Sequence, residues 1–401
     1  MTNRIFKAFE YPDFRVMWFG ACTSSVGTFM QMLAQSWLVY KLSKSVFYLS
    51  LDTFFGQAPI FLLSLFGGVF ADRISRRKLL LWSQAIQLSC AFTLAFLARA
   101  NIARVEEIWC LSFIVGVAQS FGGPAYSALV PTLVGKEDLQ NAIALNSIQF
   151  NLARVVGPAL GGIALVKLGA FWCFFLNGLS FLAVIASLLY IRPTFVPGGA
   201  GTSVMQSMKQ GIDFMRKREG MLSLISLAFL ITMLAYPMIT FLLVIVDKIF
   251  HGTTNDFTLF LCLSGAGSVT GALLIAGQSA RPGQAMKSLE ALAVLGITIG
   301  IIGWSRFLPL TCAAIFLAGA LLMVVFALNT SLVQSNVADQ MRGRVMSVYN
   351  VAFRGGMPIG AVISGYIAQK SSVSLVLGLN GVLLVILALY FLLIQKKLSK
   401  L

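Results

Sequence analysis

The sequence is poor in the residues that most enzymes use for chemistry. It has a single histidine, His251, and only fourteen Asp and Glu residues among 401. Its six cysteines fall inside apolar stretches without metal-ligand spacing, which indicates small buried side chains rather than disulfides or ligands. These scarcities exclude a histidine-based metal centre. We expect no metal, no cofactor and no enzymatic activity.

Charge is also scarce, whereas apolar residues are abundant. Charged residues make up 11% of the chain and hydrophobic residues 58%, and the mean hydropathy is +0.86. A soluble domain is typically about 45–50% apolar and about 25% charged. No soluble core could bury this much apolar surface. The composition therefore predicts a polytopic, all-α membrane protein.

Twelve apolar runs approach or exceed the roughly 20 residues that a membrane-spanning helix needs. They lie near 14–40, 47–70, 79–100, 105–132, 141–167, 170–191, 220–247, 257–279, 288–305, 307–335, 345–368 and 373–395. The first run lacks a small-residue cleavage site, so we expect an uncleaved span rather than a signal peptide.

The distribution of Lys and Arg predicts the orientation. Twenty of the thirty basic residues fall at the termini and in loops on one side of the predicted membrane, eight lie on the other side, and two lie inside spans. By the positive-inside rule both termini are cytoplasmic, which suits a bacterial-type inner membrane. The net charge of +16 then comes from Lys and Arg in short loops between the spans, next to the membrane surface. We therefore expect no nucleic-acid partner.

A polar segment divides the chain into two halves. We predict an N-terminal six-helix bundle at 1–191, a cytoplasmic linker at 192–219 and a C-terminal six-helix bundle at 220–401. In the linker, apolar residues recur at helical spacing, which predicts an interfacial amphipathic helix. Ser147, Arg154 and Pro158 recur exactly 200 residues later as Ser347, Arg354 and Pro358, which favours duplication of a six-helix unit.

The loop between the second and third spans carries an unusual charge cluster. Its sequence, GGVFADRISRRKLL from Gly67, resembles the signature loop of the major facilitator superfamily. That resemblance covers essentially the whole chain. It implies a transporter with twelve transmembrane helices in two pseudo-symmetric six-helix bundles.

The resemblance also implies a gate on the cytoplasmic side. Gly68 would let the second span approach a neighbouring helix, and Asp72 would face the start of the eleventh span. The predicted gating residues are Gly68, Asp72, Arg73, Arg76, Arg77, Arg342 and Arg344. The alternative is that the basic residues only satisfy the positive-inside rule.

A second motif lies in the fifth span, where Gly157, Pro158, Gly161 and Gly162 resemble the G-P-x-x-G-G motif of superfamily exporters. These residues would bend the helix and permit tight packing between the halves. The surrounding sequence resembles the branch of enterobactin-type siderophore exporters and macrolide efflux proteins, to which lysophospholipid carriers are similar. One departure is that 105–132 holds no Lys or Arg, so the arginine that many proton-coupled drug exporters carry in the fourth span is missing.

Two arginines stand within spans, where insertion costs about 2.5–3.5 kcal/mol each. Arg154 shares a helical face with Asn151, and Arg354 shares one with Asn350. We predict that these four residues bind an anionic or oxygen-rich substrate. Two alternatives stay open: the arginines bond only to neighbouring carbonyl groups, or they pair transiently with an acid during the transport cycle.

Further polar residues inside spans are candidates for lining a central cavity. A stripe on the first span contains three of them, and others lie on the fourth, seventh and tenth spans. The set is Thr28, Gln31, Gln35, Gln119, Tyr126, Tyr236 and Asn329. Asp52 is the only acid well inside a span, and it is the candidate proton carrier because desolvation raises the pKa of a carboxyl group.

Together these features predict a monomeric secondary transporter that exports a small amphipathic molecule, siderophore-like or drug-like, by alternating access. Protons are the expected coupling ion. A carrier of lysophospholipids or other lipid-like molecules is the first alternative. A membrane sensor or scaffold that does not transport is the alternative from another functional class.

Overall fold

The computed structural model describes residues 6–191, 204–218, 220–276 and 283–393. The first six long helices are α1 Pro12–Ser43, α2 Val46–Arg73, α3 Arg76–Ala100, α4 Val105–Leu129, α5 Leu139–Lys167 and α6 Ala170–Tyr190. The others are α7 Val204–Lys217, α8 Met221–Ala235, α9 Pro237–Lys248, α10 Thr254–Ala276, α11 Gln284–Trp304, α12 Leu308–Ser335, α13 Asp339–Lys370 and α14 Val373–Leu393. Short 3-10 helices at Lys7–Glu10, Val130–Thr132 and Lys136–Asp138 complete the elements, and the described residues contain no strand.

Each of the twelve predicted spans coincides with a helix or a helix pair. Eleven stretches within the described ranges are long and apolar enough to cross a membrane, and one of them, Met221–Lys248, joins α8 and α9 at Pro237. The remaining predicted span coincides with α1, a continuous helix of 32 residues that is not among these eleven stretches. Helices satisfy their own backbone groups in lipid, so apolar runs of this length fold as spans.

The chain divides into two compact units. Unit 1 contains Met1–Ser43 and Phe55–Gly201, and unit 2 contains Lys44–Phe54 and Thr202–Leu401. The second span is therefore shared, because α2 starts in unit 2 and continues in unit 1 from Phe55.

The two units have matching internal packing. In unit 1, α1 packs against α5 and α6, and α3 packs against α4 and α6. In unit 2 the corresponding pairs are α8 against α13 and α14, and α11 against α12 and α14.

The amphipathic helix of the linker is α7. Met215 is buried, and an ideal Cβ on Gly211 would lie 2.9 Å from the carbonyl oxygen of Arg344, so this face of α7 contacts the start of α13. The Arg218 guanidinium donates to the Asn336 carbonyl after α12. The face around Gly211 therefore packs on protein, and the location of α7 at the membrane interface stays a prediction. Residues 192–203 and 219 of the predicted linker lie outside the described part.

Candidate functional site

The mid-span arginine of unit 1 is stacked on an aromatic ring. Arg154 lies fifteen residues after Leu139, where α5 begins, or about 22 Å along the helix. Its guanidinium carbon is 5.2 Å from the centroid of the Phe150 ring. Phe150 in turn meets Phe29 of α1 edge to face, with centroids 5.4 Å apart. A planar guanidinium can stack on an aromatic ring and donate two parallel hydrogen bonds at the same time. This half-buried group is therefore suited to binding a ligand that carries carboxylate or catecholate oxygens next to an apolar ring.

Asn151 adds polar atoms one turn before Arg154. Its amide nitrogen donates to the Ser147 carbonyl at 2.8 Å. Its side-chain oxygen is buried and has no hydrogen-bond partner among the described residues. Buried acceptors are normally satisfied, so this oxygen is an exception on α5.

Unit 2 presents a comparable arrangement on α13. Arg354 lies fifteen residues after Asp339, where α13 begins, and both Arg354 and Asn350 are exposed. Neighbouring Tyr349 is buried and shares a hydrogen bond of 3.0 Å with Thr330 of α12. Phe353 stacks edge to face on Phe326 of α12, with centroids 4.8 Å apart. These buried contacts fix the rotation of α13 and therefore the face on which Arg354 lies.

The polar stripe of α1 forms a hydrogen-bonded chain across three helices of unit 1. Asn177 of α6 donates to Gln31 at 2.7 Å, and Gln31 donates to Gln35 at 3.3 Å. Gln35 then donates to Ser112 of α4 at 2.8 Å. Thr28, in the same stripe, is exposed. The two glutamines therefore join helices, and Thr28 has the greater access to a solute.

The remaining predicted cavity residues occupy different environments. Gln119 is exposed on α4, whereas Tyr126 is half-buried and donates to Asn146 of α5 at 3.1 Å. Tyr236 is half-buried at the junction of α8 and α9. Asn329 is only 1% exposed, and its amide donates to the Leu224 carbonyl of α8 at 3.4 Å. Asn329 thus sits between helices of unit 2.

Two polar residues of this region were missed by sequence reasoning. Gln149 is buried in α5 and donates to Ser25 at 2.6 Å and to the Ala21 carbonyl of α1 at 3.1 Å. Its position, eight residues before Gly157, puts it on the glycine face of α5, and that spacing is the signal that could have identified it. The other residue is Asn177 of α6, which bonds to Gln31 of α1. The polar stripe on α1 does not indicate which residue of another helix will bond to it.

The exporter motif packs inside unit 1. An ideal Cβ on Gly157 would lie 2.5 Å from Phe29 Cβ, and one on Gly161 would lie 3.0 Å from Met30 Cα. Pro158 and Gly162 are buried within α5. The expectation of packing between the halves is corrected for Gly157 and Gly161, whose nearest neighbours are on α1 of the same unit.

The signature loop is held by backbone carbonyl groups. Arg76 donates to the Ala128 carbonyl near the end of α4 at 2.9 Å. Arg77 donates to the carbonyls of Leu188 and Leu189 near the end of α6, the second at 2.9 Å. Cations are stabilised at helix C-termini, where free carbonyl groups accumulate. Both arginines therefore fasten α3 to its neighbours in unit 1.

The other predicted gating residues are less constrained. Arg73 and Arg342 are exposed, and Arg344 donates weakly to the Met341 sulfur at 3.4 Å. The side chain of Asp72 lies outside the described part. The close approach predicted for Gly68 is made by the preceding residue: an ideal Cβ on Gly67 would lie 2.0 Å from the Ser120 carbonyl oxygen, whereas one on Gly68 would meet nothing within 4 Å.

Asp52 lies in the part of α2 that belongs to unit 2, and it is half-buried. The same segment contacts the end of α13 through Ser50, whose hydroxyl oxygen would be 2.2 Å from an ideal Cβ on Gly365. Across the described residues, no three His, Cys, Asp or Glu side chains lie close enough together to hold a metal ion.

Comparison with known proteins identifies relatives that transport small molecules. The profile of the family described as transmembrane secretion effectors, in the major facilitator superfamily, matches residues 5–400. The staphyloferrin A transporter of Staphylococcus aureus is 23% identical over 93% of this chain and 94% of its own. The enterobactin exporter EntS of Citrobacter koseri is 24% identical over 97% and 93%, respectively. Macrolide efflux protein A of Streptococcus pyogenes is 22% identical over 94% of each chain.

Solved structures with the same fold are also transporters. The nucleoside transporter NupG superposes with a TM-score of 0.78 at 12% identity, covering 95% of this chain and 98% of its own. The human organic anion transporter MFSD10 gives a TM-score of 0.69 at 15% identity, covering 94% and 97%. These likenesses confirm the predicted fold class.

Proposed function

Because the chain belongs to the transmembrane secretion effector family of the major facilitator superfamily, we propose that it exports a small, amphipathic, oxygen-rich anion by proton antiport. Siderophore-like metabolites are the favoured class, and drug-like molecules are the second. The protein is a multi-pass membrane transporter and not an enzyme. Export across the inner membrane, with both termini in the cytoplasm, is part of the proposal.

The observation that carries the proposal is the pair of arginines at equal positions in the two units. Arg154 and Arg354 each lie fifteen residues into the fifth helix of their unit, each with an asparagine close by on the same helix, and Arg154 also lies over the Phe150 ring. A charge inside a span costs several kcal/mol unless a partner or a wet cavity compensates it. A substrate with anionic oxygens and an apolar body would contact the Arg154 guanidinium and the Phe150 ring beside it.

Proton coupling rests on Asp52. A half-buried carboxyl group within a span can take up and release a proton as its access to water changes. A proton that crosses 100 mV supplies about 2.3 kcal/mol, which supports a gradient of roughly fifty-fold. Measuring the substrate flux and the proton flux together gives the direction and the stoichiometry of exchange.

The test is accumulation in cells that lack or express the protein. Iron-free enterobactin, staphyloferrin A, a macrolide and a lysophospholipid are supplied in labelled form, with and without a protonophore. We expect expression to lower the retention of at least one siderophore, and the protonophore to abolish that effect. Unchanged retention of all four compounds would overturn the proposal, and export of the lysophospholipid alone would assign the protein to lipid-like cargo.

Proteoliposomes separate transport from coupling. We expect Asp52→Asn to lose proton-driven transport while keeping substrate exchange in the absence of a gradient. Full proton-driven transport by this variant would remove Asp52 from the mechanism.

A further inference from the structure

Unit 1 contains a groove that the proposed transport cycle does not use. Its volume is about 400 Å³, and three helices form its walls: α1 from Thr23 to Met30, α5 from Leu160 to Lys167 together with the following Leu168, and α6 at Leu176 and Ser180. The lining residues of α5 recur at intervals of three and four, so they form one helical face. The groove therefore follows α5 for about 12 Å.

The surface of the groove is apolar because its polar groups are satisfied within the protein. The Thr23 hydroxyl donates to the Phe19 carbonyl at 3.0 Å. The Ser180 hydroxyl donates to the Asn177 carbonyl at 2.7 Å. Large side chains at the rim are open to the surroundings, with Ile163 57% and Leu168 58% exposed. Ala164 and Gly27 are buried and lie deeper in the lining.

One end of the groove carries a single charge. Lys167, the last residue of α5, is exposed and is the only charged residue in the lining. No ion pair among the described residues involves it. It stands at the end of the span that we predict to be extracytoplasmic, which is the depth of lipid headgroups. A cation at this depth, next to an apolar groove, matches an amphiphile that has an anionic headgroup and an apolar chain.

We propose that this groove is a binding site for an anionic phospholipid. An acyl chain lies between α5 and α6, and the phosphate accepts hydrogen bonds from the Lys167 ammonium group. The site is distinct from the proposed substrate site because none of its lining residues is among those that we predict to bind the substrate.

The test is native mass spectrometry of the purified full-length protein, titrated with phosphatidylglycerol or phosphatidylcholine in detergent. We expect saturable retention of phosphatidylglycerol, at least fivefold stronger than that of phosphatidylcholine. Lys167→Gln should remove this preference, and Lys167→Arg should keep it. The matched control is Lys370→Gln, because Lys370 ends α13, the corresponding helix of unit 2, and does not line the groove.

A second variant tests the apolar part of the site. Ala164→Leu adds volume inside the groove and leaves Lys167 in place, so it should lower retention of phosphatidylglycerol severalfold.

Equal retention by wild type and Lys167→Gln would overturn the proposal. Equal affinity for both lipids would reduce the groove to an ordinary lipid-facing surface, and a dimer mass that excludes lipid would assign it to a second copy of the chain. Each readout is made without transport, so failure of the proposed function leaves this test intact.

Discussion

The side-chain oxygen of Gln369 accepts a hydrogen bond from the backbone N–H of Val46, with 3.1 Å between the two atoms. Val46 is the first residue of α2, so a side chain near the end of α13 caps this helix. The Ser45 hydroxyl donates to the same oxygen at 3.1 Å, and the ring of Phe47 meets Tyr366 edge to face. All five residues belong to unit 2, although α2 continues into unit 1 from Phe55.

Removing this cap should destabilise the protein. Gln369→Ala leaves the N–H of Val46 without its side-chain acceptor, and the loss of a helix cap costs about 0.5–2 kcal/mol. We expect the melting temperature of the purified protein to fall by a few degrees. Lys370→Ala is the matched control at the adjacent, exposed position. An equal effect of both substitutions would show that the cap contributes nothing of its own.

The adjacent glycines of the signature loop should respond differently to the same substitution. Gly67→Ala places a Cβ within 2.0 Å of the Ser120 carbonyl oxygen, so α2 and α4 must separate. Overpacking of this kind costs about 1–3 kcal/mol. Gly68→Ala meets open space and should be neutral or slightly stabilising, since alanine is favoured over glycine in helices by up to about 1 kcal/mol.

Thermal unfolding of the two variants in one detergent gives the comparison directly. A larger loss of stability in Gly68→Ala than in Gly67→Ala would show that Gly68, and not Gly67, makes the close contact with α4. A loss of transport in Gly68→Ala without a loss of stability would instead support the predicted role of Gly68 in gating.

The spans and the family could be predicted from the sequence because each depends on the combined contribution of many residues. The second span, for example, was expected at 47–70 and forms α2 at Val46–Arg73. The close approach of the second span to a neighbouring helix was predicted for Gly68, but Gly67 makes the contact with α4. Adjacent residues of a helix differ by about 100° in direction, and hydropathy does not fix the rotation of a helix within a bundle. Likewise, the partners of Gln149 and Gly157 on α1 depend on which helices become neighbours, and this is not encoded in either residue alone.

A cluster near the N-terminus predicts a dependence of stability on alkaline pH. The Lys7 ammonium lies 3.0 Å from an Asp138 carboxylate oxygen, and the other oxygen accepts a hydrogen bond from the Tyr11 hydroxyl at 3.0 Å. The hydrogen bond and the charge of Asp138 raise the pKa of Lys7 above its ordinary value, and the hydrogen bond to Asp138 also raises the pKa of Tyr11.

For a group whose folded-state pKa is raised, the stabilisation is complete below the unfolded pKa, about 10.4 for lysine, and is lost as the pH rises through the folded pKa. Lys7→Gln should therefore melt below wild type at pH 8–9, and the difference should close as the pH rises through the raised pKa of Lys7. Arg15→Gln removes a nearby exposed charge and is the control. A difference that stays constant over this range would show that the ion pair does not act through the charge of Lys7.

The decisive substitutions for the proposed function are at Arg154. Arg154→Ala removes both the charge and the stack on Phe150, so we expect efflux to fall at least tenfold while folded protein stays in the membrane. Arg154→Lys keeps the charge but loses the planar fork, so transport should be weaker with a raised KM. Phe150→Leu keeps apolar volume and removes the ring, which isolates the stacking contribution. Size-exclusion profiles and melting temperatures distinguish the two roles of Arg154. A variant that fails to fold supports the structural alternative, an inactive but folded one supports substrate binding, and one that folds and transports normally contradicts both.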